Sequence, residues 1–161
     1  YLEKAIEDME EEAYDQVMNV NIKGMYFLSK YMLPLLKKRA AASMVMVSSD
    51  AGVNGNYFCS AYCASKGAVT IFTKALALEL ACYNIRVNCV CPGDIDTPMT
   101  RAQLDQNRDE QAQLEEMRSL YPLGRIGTAE EVAAVICFLA SKQASFVTGA
   151  AWLVDGGLTA S

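Results

Sequence analysis

The chain is 161 residues long, about half of them apolar (52%) and a fifth charged, with 19 acidic side chains against 14 basic ones for a net charge of −5. That balance excludes the basic face a nucleic-acid binder needs, and no apolar run approaches the ~18 residues that span a bilayer. There is no histidine, so Ser-His-Asp and Cys-His hydrolysis, which both need imidazole as base, are excluded as well.

The acidic run EDMEEEAYD (7–15) reads as the solvated start of a helix. A long periodic segment follows from about Glu11 to Arg39, with apolar Val17, Val20, Met25, Leu28, Met32 and Leu36 three to five residues apart. Lys37, Lys38 and Arg39 suit the negative end of its dipole, and Pro34 is expected to kink the last turns. SMVMVSS (43–49) is a short apolar run followed by Gly52 and Gly55, the pattern of a strand covered on both faces. A second helix is predicted over 61–81, and IRVNCVCPG (85–93) reads as a second buried strand stopped by Pro92 and Gly93.

Residues 98–127 are polar and read as an excursion from the sheet. Thr128 and Glu131 form a capping box that opens a helix running to about Ser141, and 150–157 supplies a third strand. Alternating helices and strands define an α/β protein with a parallel sheet of about three strands and flanking helices. The six cysteines lack the C-x2-C spacing of zinc sites, so no metal is expected. They read as free thiols in a reducing cytoplasm.

With imidazole absent, acid–base chemistry near neutral pH falls to a carboxylate, lysine, cysteine or tyrosine. The Tyr-x-x-x-Lys pattern occurs twice, as Tyr26–Lys30 in YFLSK and Tyr62–Lys66 in SAYCASKGA. The first lies mid-helix and reads as a core-facing ring beside a surface lysine. The second opens a helix just after the loop leaving a buried strand, at the edge where open α/β sheets bind ligands. Spacing i to i+4 puts both side chains on one face, where an ammonium is expected to favour the phenolate of a tyrosine whose ordinary pKa is near 10.

Around this pair the chain resembles the classical short-chain dehydrogenases/reductases. VMNVNIKGMYF, MVSSDAG, AYCASKGAV, VNCVCPGDIDTPM, LGRIGTAEEVA, VTG and VDGG follow one another in that family's order. The resemblance implies a Rossmann-like doubly wound parallel sheet and hydride transfer between NAD or NADP and a secondary alcohol or ketone. It implies catalytic roles for Asn21, Ser49, Tyr62 and Lys66. Tyr62, Lys66, Pro92, Gly93, Ile95 and Thr97 would face the cofactor, and Asp155, Gly156 and Gly157 would serve structure. It also implies a homo-oligomer, a tetramer or dimer, built on the helices at 11–39 and 61–81.

The family's glycine-rich G-x-x-x-G-x-G loop is not found in this sequence. The expectation is therefore that residues 1–161 are the C-terminal part of a single Rossmann-type domain, with 98–127 as a substrate lid, and that this part alone neither folds stably nor turns over. Two other readings stand beside the enzyme. One is a truncated, non-catalytic interaction module that pairs through its long helices. The other is a Ser–Lys hydrolase using Ser49 and Lys66. Substrate selection is assigned to 98–121 and the 53–58 loop, where Asn54, Asn56, Arg101 and Gln103 suggest a polar compound.

Overall fold

A computed structural model describes residues 2–160. Its centre is a three-stranded parallel sheet in the order β1-β2-β3, with β1 at Ala42–Val47, β2 at Ile85–Pro92 and β3 at Ala151–Val154. Helix α1 (Glu11–Met18) runs through a π-helical stretch, Asn19–Gly24, into α2 (Met25–Leu36). The 21-residue α3 (Ser60–Leu80) connects β1 to β2. Between β2 and β3 lie the short α4 (Pro98–Arg101), then α5 (Glu110–Ser119) and α6 (Ala129–Ala140). Among the described residues no helix is long and apolar enough to cross a membrane.

The period-2 alternation of β2 decides which helix covers which face. Val87, Cys89 and Cys91 are fully buried and pack with Val69, Leu76 and Leu80 of α3. Burying an aliphatic side chain of this size contributes about 1.5–3 kcal/mol. Arg86 and Asn88 point to the other face. The Arg86 guanidinium donates to the Leu139 and Ser141 carbonyls at 2.8 and 2.9 Å, which caps the end of α6. Asn88 donates to the Val147 carbonyl at 2.8 Å and accepts from the Ala150 N–H at 3.0 Å, tying β2 to the approach of β3. Helices therefore cover both faces, as expected of a doubly wound sheet.

The predicted strands and capping box are present. The Thr128 hydroxyl accepts from the Glu131 N–H at 3.3 Å, and the Glu131 carboxylate accepts from the Thr128 N–H at 2.9 Å. Three details differ. β1 is mostly half-buried rather than covered on both faces, and Val47 at its end is exposed. The segment read as one helix from Glu11 to Arg39 is broken by the π-helical stretch and ends at Leu36.

Third, its apolar period does not trace the core. Val20 and Leu28 are 68% and 64% exposed, and Tyr26, read as core-facing, is 49% exposed against Phe27 and Phe72. The inserted π turn rotates everything after it relative to a regular 3.6-residue helix, so the sequence period and the buried stripe part company.

Candidate active site

β1 hands the chain to the site through Ser48 and Ser49. Ser48 is the structural member of the pair: buried, it donates to the Lys66 carbonyl at 2.9 Å and shares a 2.8 Å bond with Thr70 Oγ1. Gly52 makes this clasp possible, because a Cβ there would sit 2.7 Å from the Lys66 carbonyl and 2.8 Å from Thr70 Oγ1. The turn is thereby pressed onto the first half of α3, and Ser49 faces Tyr62.

Ser49, Tyr62 and Lys66 line one cleft of about 550 Å³ beyond the carboxyl ends of β1 and β2, together with Pro92, Gly93, Ile95 and Thr97. The lysine Nζ lies 5.7 Å from the Tyr62 ring centroid, as expected one helical turn along, and donates to the Val47 carbonyl at 3.0 Å. Thr97 caps α4, and Thr100 Oγ1 donates to the Ile95 carbonyl at 2.6 Å, which fixes the loop after β2.

Asn21, alone of the predicted catalytic and cofactor-facing residues, does not line this cleft, and of the residues assigned to substrate choice Asn54 and Arg101 do not either. The π-helical stretch turns the Asn21 side chain to α3, where Nδ2 donates to Ser65 Oγ at 3.0 Å and that hydroxyl donates to the Tyr62 carbonyl at 2.7 Å. It therefore touches the residue next to Lys66. Arg101 is also turned away from substrate duty: its guanidinium forks onto Asp96 at 2.8 and 2.9 Å and reaches Glu110.

The electrostatics differ from the simple expectation for a tyrosine–lysine pair. Burial pushes the Tyr62 phenol above its ordinary value; a hydrogen bond with Ser49 opposes this, and the charge of Asp50 adds to it. Burial likewise pulls the Lys66 ammonium down, with Cys91 opposing. Desolvation, rather than the attraction between the two, dominates both groups. Asp94 in the same cleft is raised by burial, relieved by a hydrogen bond with Tyr121 and raised again by Asp50. Reading the sequence by motif missed Asp50, Asp94 and the α6 side chains Val132 and Ile136, all of which line the cleft. Asp50 was visible within MVSSDAG; the α6 residues carry no local signal, because only packing brings them there.

A parallel sheet covered on both faces, with a serine, tyrosine and lysine lining one cleft at its carboxyl edge, defines a Rossmann-type α/β scaffold. A family model described as enoyl-(acyl carrier protein) reductase matches residues 1–159. The 3-oxoacyl-[acyl-carrier-protein] reductase FabG of Thermotoga maritima is 47% identical over 150 residues, covering 93% of this chain and 58% of that protein. The ligand-free aldohexose dehydrogenase of Thermoplasma acidophilum superposes with a TM-score of 0.91 at 37% identity, over 99% of this chain and 64% of the other. ElxO with NADP bound superposes with a TM-score of 0.91 at 30% identity, again over 99% of this chain and 64% of the other. The chain belongs to the short-chain dehydrogenase/reductase family. It spans about six-tenths of the length of these relatives.

Proposed function

We propose that these residues carry the catalytic side chains of an NAD- or NADP-dependent oxidoreductase acting on a secondary alcohol or its ketone. The observation that carries this reading is the convergence of Ser49, Tyr62 and Lys66 with Pro92, Gly93, Ile95 and Thr97 in one cleft at the sheet's carboxyl edge. The ElxO complex with NADP supports the cofactor class.

The cleft also fits a nicotinamide nucleoside. Val47, Pro92 and Ile95 offer apolar contact for a flat ring, and the Lys66 ammonium offers donors for ribose hydroxyls. When bound, that cofactor supplies the acceptor or donor of hydride and, oxidised, a positive charge. Tyr62 gives its phenolic proton to the carbonyl oxygen in reduction or takes the hydroxyl proton in oxidation. Ser49 stabilises charge on that oxygen. Lys66 would hold the ribose and offset negative charge on the phenol. Asn21 acts through Ser65 on the turn of α3 that bears Tyr62 and Lys66, toward a proton path to solvent.

Substrate choice falls to the lid at 98–127 and the 53–58 loop, from which Met99, Gln103 and Asn56 reach the cleft. Among the described residues the cysteines form no disulfide, which is consistent with a cytoplasmic home. A Ser–Lys hydrolase is disfavoured because it leaves without purpose Tyr62 and the 92–97 segment, which line the same cleft as Ser49 and Lys66. In the full-length protein, Tyr62→Phe is expected to reduce kcat by at least ~100-fold with cofactor affinity little changed. Turnover equal to wild type would defeat the assignment, and a wild-type protein without turnover would favour the non-catalytic interaction module.

A further inference from the structure

Tyr121 is 5% exposed and does not line the cleft, yet its phenol reaches the loop that does. It stands just after α5, near the closing end of the 98–127 excursion. Its ring packs with Leu114 and Ile126, and Leu104, Met117 and Leu158 lie against that cluster. At the far end of the ring the hydroxyl oxygen accepts the Asp94 N–H at 2.7 Å. The same ring limits how close the loop can come: a Cβ at Gly93 would sit 3.0 Å from Tyr121 Cε1 and 3.1 Å from its oxygen. Gly93 and Asp94 both line the cleft.

We infer that Tyr121 is a positioning residue for the cofactor: its phenol holds the Gly93–Asp94 turn, and with it Pro92, Ile95 and Thr97, against the apolar cluster of the lid, so that the cofactor loop and the lid shift together. That reading rests on the function proposed above, which assigns this loop to the nicotinamide end of the dinucleotide. Tyr121 acts through the turn and touches neither the reacting groups nor the cleft.

Main-chain partners hold the rest of the turn. The Gly93 N–H donates to the Val154 carbonyl at 3.2 Å, the Gly127 N–H donates to the Asp94 carbonyl at 2.9 Å, and the Asp96 N–H donates to the Gly127 carbonyl at 2.9 Å. Those bonds belong to the backbone and do not depend on which side chain stands at 121. The Asp94 N–H does, because its acceptor is a side-chain oxygen. Burial raises the Tyr121 phenol above its ordinary value, so at neutral pH that oxygen is neutral and keeps its proton. Without the oxygen, an amide donor beside the cleft loses its partner, which a folded chain relieves by turning the group toward water. The water open to it is in the cleft that Gly93 and Asp94 line, the space assigned to the nicotinamide.

The test is calorimetric binding of NADP and NAD to the full-length protein, set against 2′-phospho-ADP-ribose and ADP-ribose, which lack the nicotinamide. Tyr121→Phe keeps the ring and removes the oxygen. The dinucleotide that binds wild type is expected to lose about fivefold in affinity, the worth of one hydrogen bond, and its nicotinamide-free counterpart less than about twofold. Equal losses for the two ligands, or none for either, overturn the inference. A tyrosine serving stability alone would lower the unfolding midpoint without separating them. If Tyr121→Phe does not fold, hydrogen exchange on the wild-type protein asks the same question. Coupling is reciprocal, so the dinucleotide should slow exchange across α5 more than its nicotinamide-free counterpart does. Helix α5 does not itself line the cleft, and equal protection by the two ligands refutes the proposal. Failure of the underlying enzyme reading is separately visible as a wild-type protein that binds neither dinucleotide.

Discussion

Gly52→Ala is the substitution most directly aimed at the clasp between the serine turn and α3. An added methyl would lie 2.7 Å from the Lys66 carbonyl and 2.8 Å from Thr70 Oγ1, with Ser48 Oγ closer still. The two hydroxyls can swing aside, but only by giving up the Ser48 bonds to the Lys66 carbonyl and to Thr70, each worth about 1 kcal/mol. The carbonyl belongs to α3 and cannot move without the helix, so overpacking adds about 1–3 kcal/mol. The sum is a destabilisation of about 3–5 kcal/mol, and the relief available is displacement of the turn that carries Ser49. Denaturant unfolding of the full-length protein measures the first effect, and kcat measures the second. Gly55→Ala is the matched control for stability, because a Cβ there meets nothing within 4 Å. Gly52→Ala with wild-type stability and kcat would refute the account of how the turn is held.

Two further expectations concern stability at low pH and assembly. The Arg125 guanidinium beside Glu131 holds its carboxyl down to about 2, and the Thr128 N–H assists. A carboxyl depressed in the folded state contributes stability above its unfolded value, near 4.5, that is lost as pH falls toward 2. Glu131→Gln should flatten the acid-unfolding curve in that window, and a curve parallel to wild type would contradict the pairing. On the outer faces of α2 and α3, Leu28, Tyr31, Ile71 and Leu78 are 64%, 68%, 63% and 83% exposed, the surface we propose for homo-oligomer formation as a dimer or tetramer. Ile71→Glu with Leu78→Glu should lower the particle mass seen by light scattering, whereas an unchanged mass would move the interface elsewhere.

Much of this protein was legible as local pattern. The short apolar run at 43–49, the strand pattern at 85–93 stopped by Pro92 and Gly93, the Thr128–Glu131 capping box and the alternation of helix with strand need only neighbours in the chain. They therefore specify an α/β sheet from local sequence alone. The order of short motifs was enough to single out Tyr62 over Tyr26. Folding in three dimensions settled what depends on distant partners. The π-helical turn at Asn19–Gly24 exposed side chains whose period pointed inward, and sent Asn21 to Ser65 rather than into the cleft. Contact between β1 and α3 made Ser48 a clasp, and the approach of Asn56 made Asp50 a buried partner of Ser49. Burial shifts the Tyr62 phenol up and the Lys66 ammonium down. A chain's order can place a phenol one turn from an ammonium, but only the packing around them sets how much water each has lost.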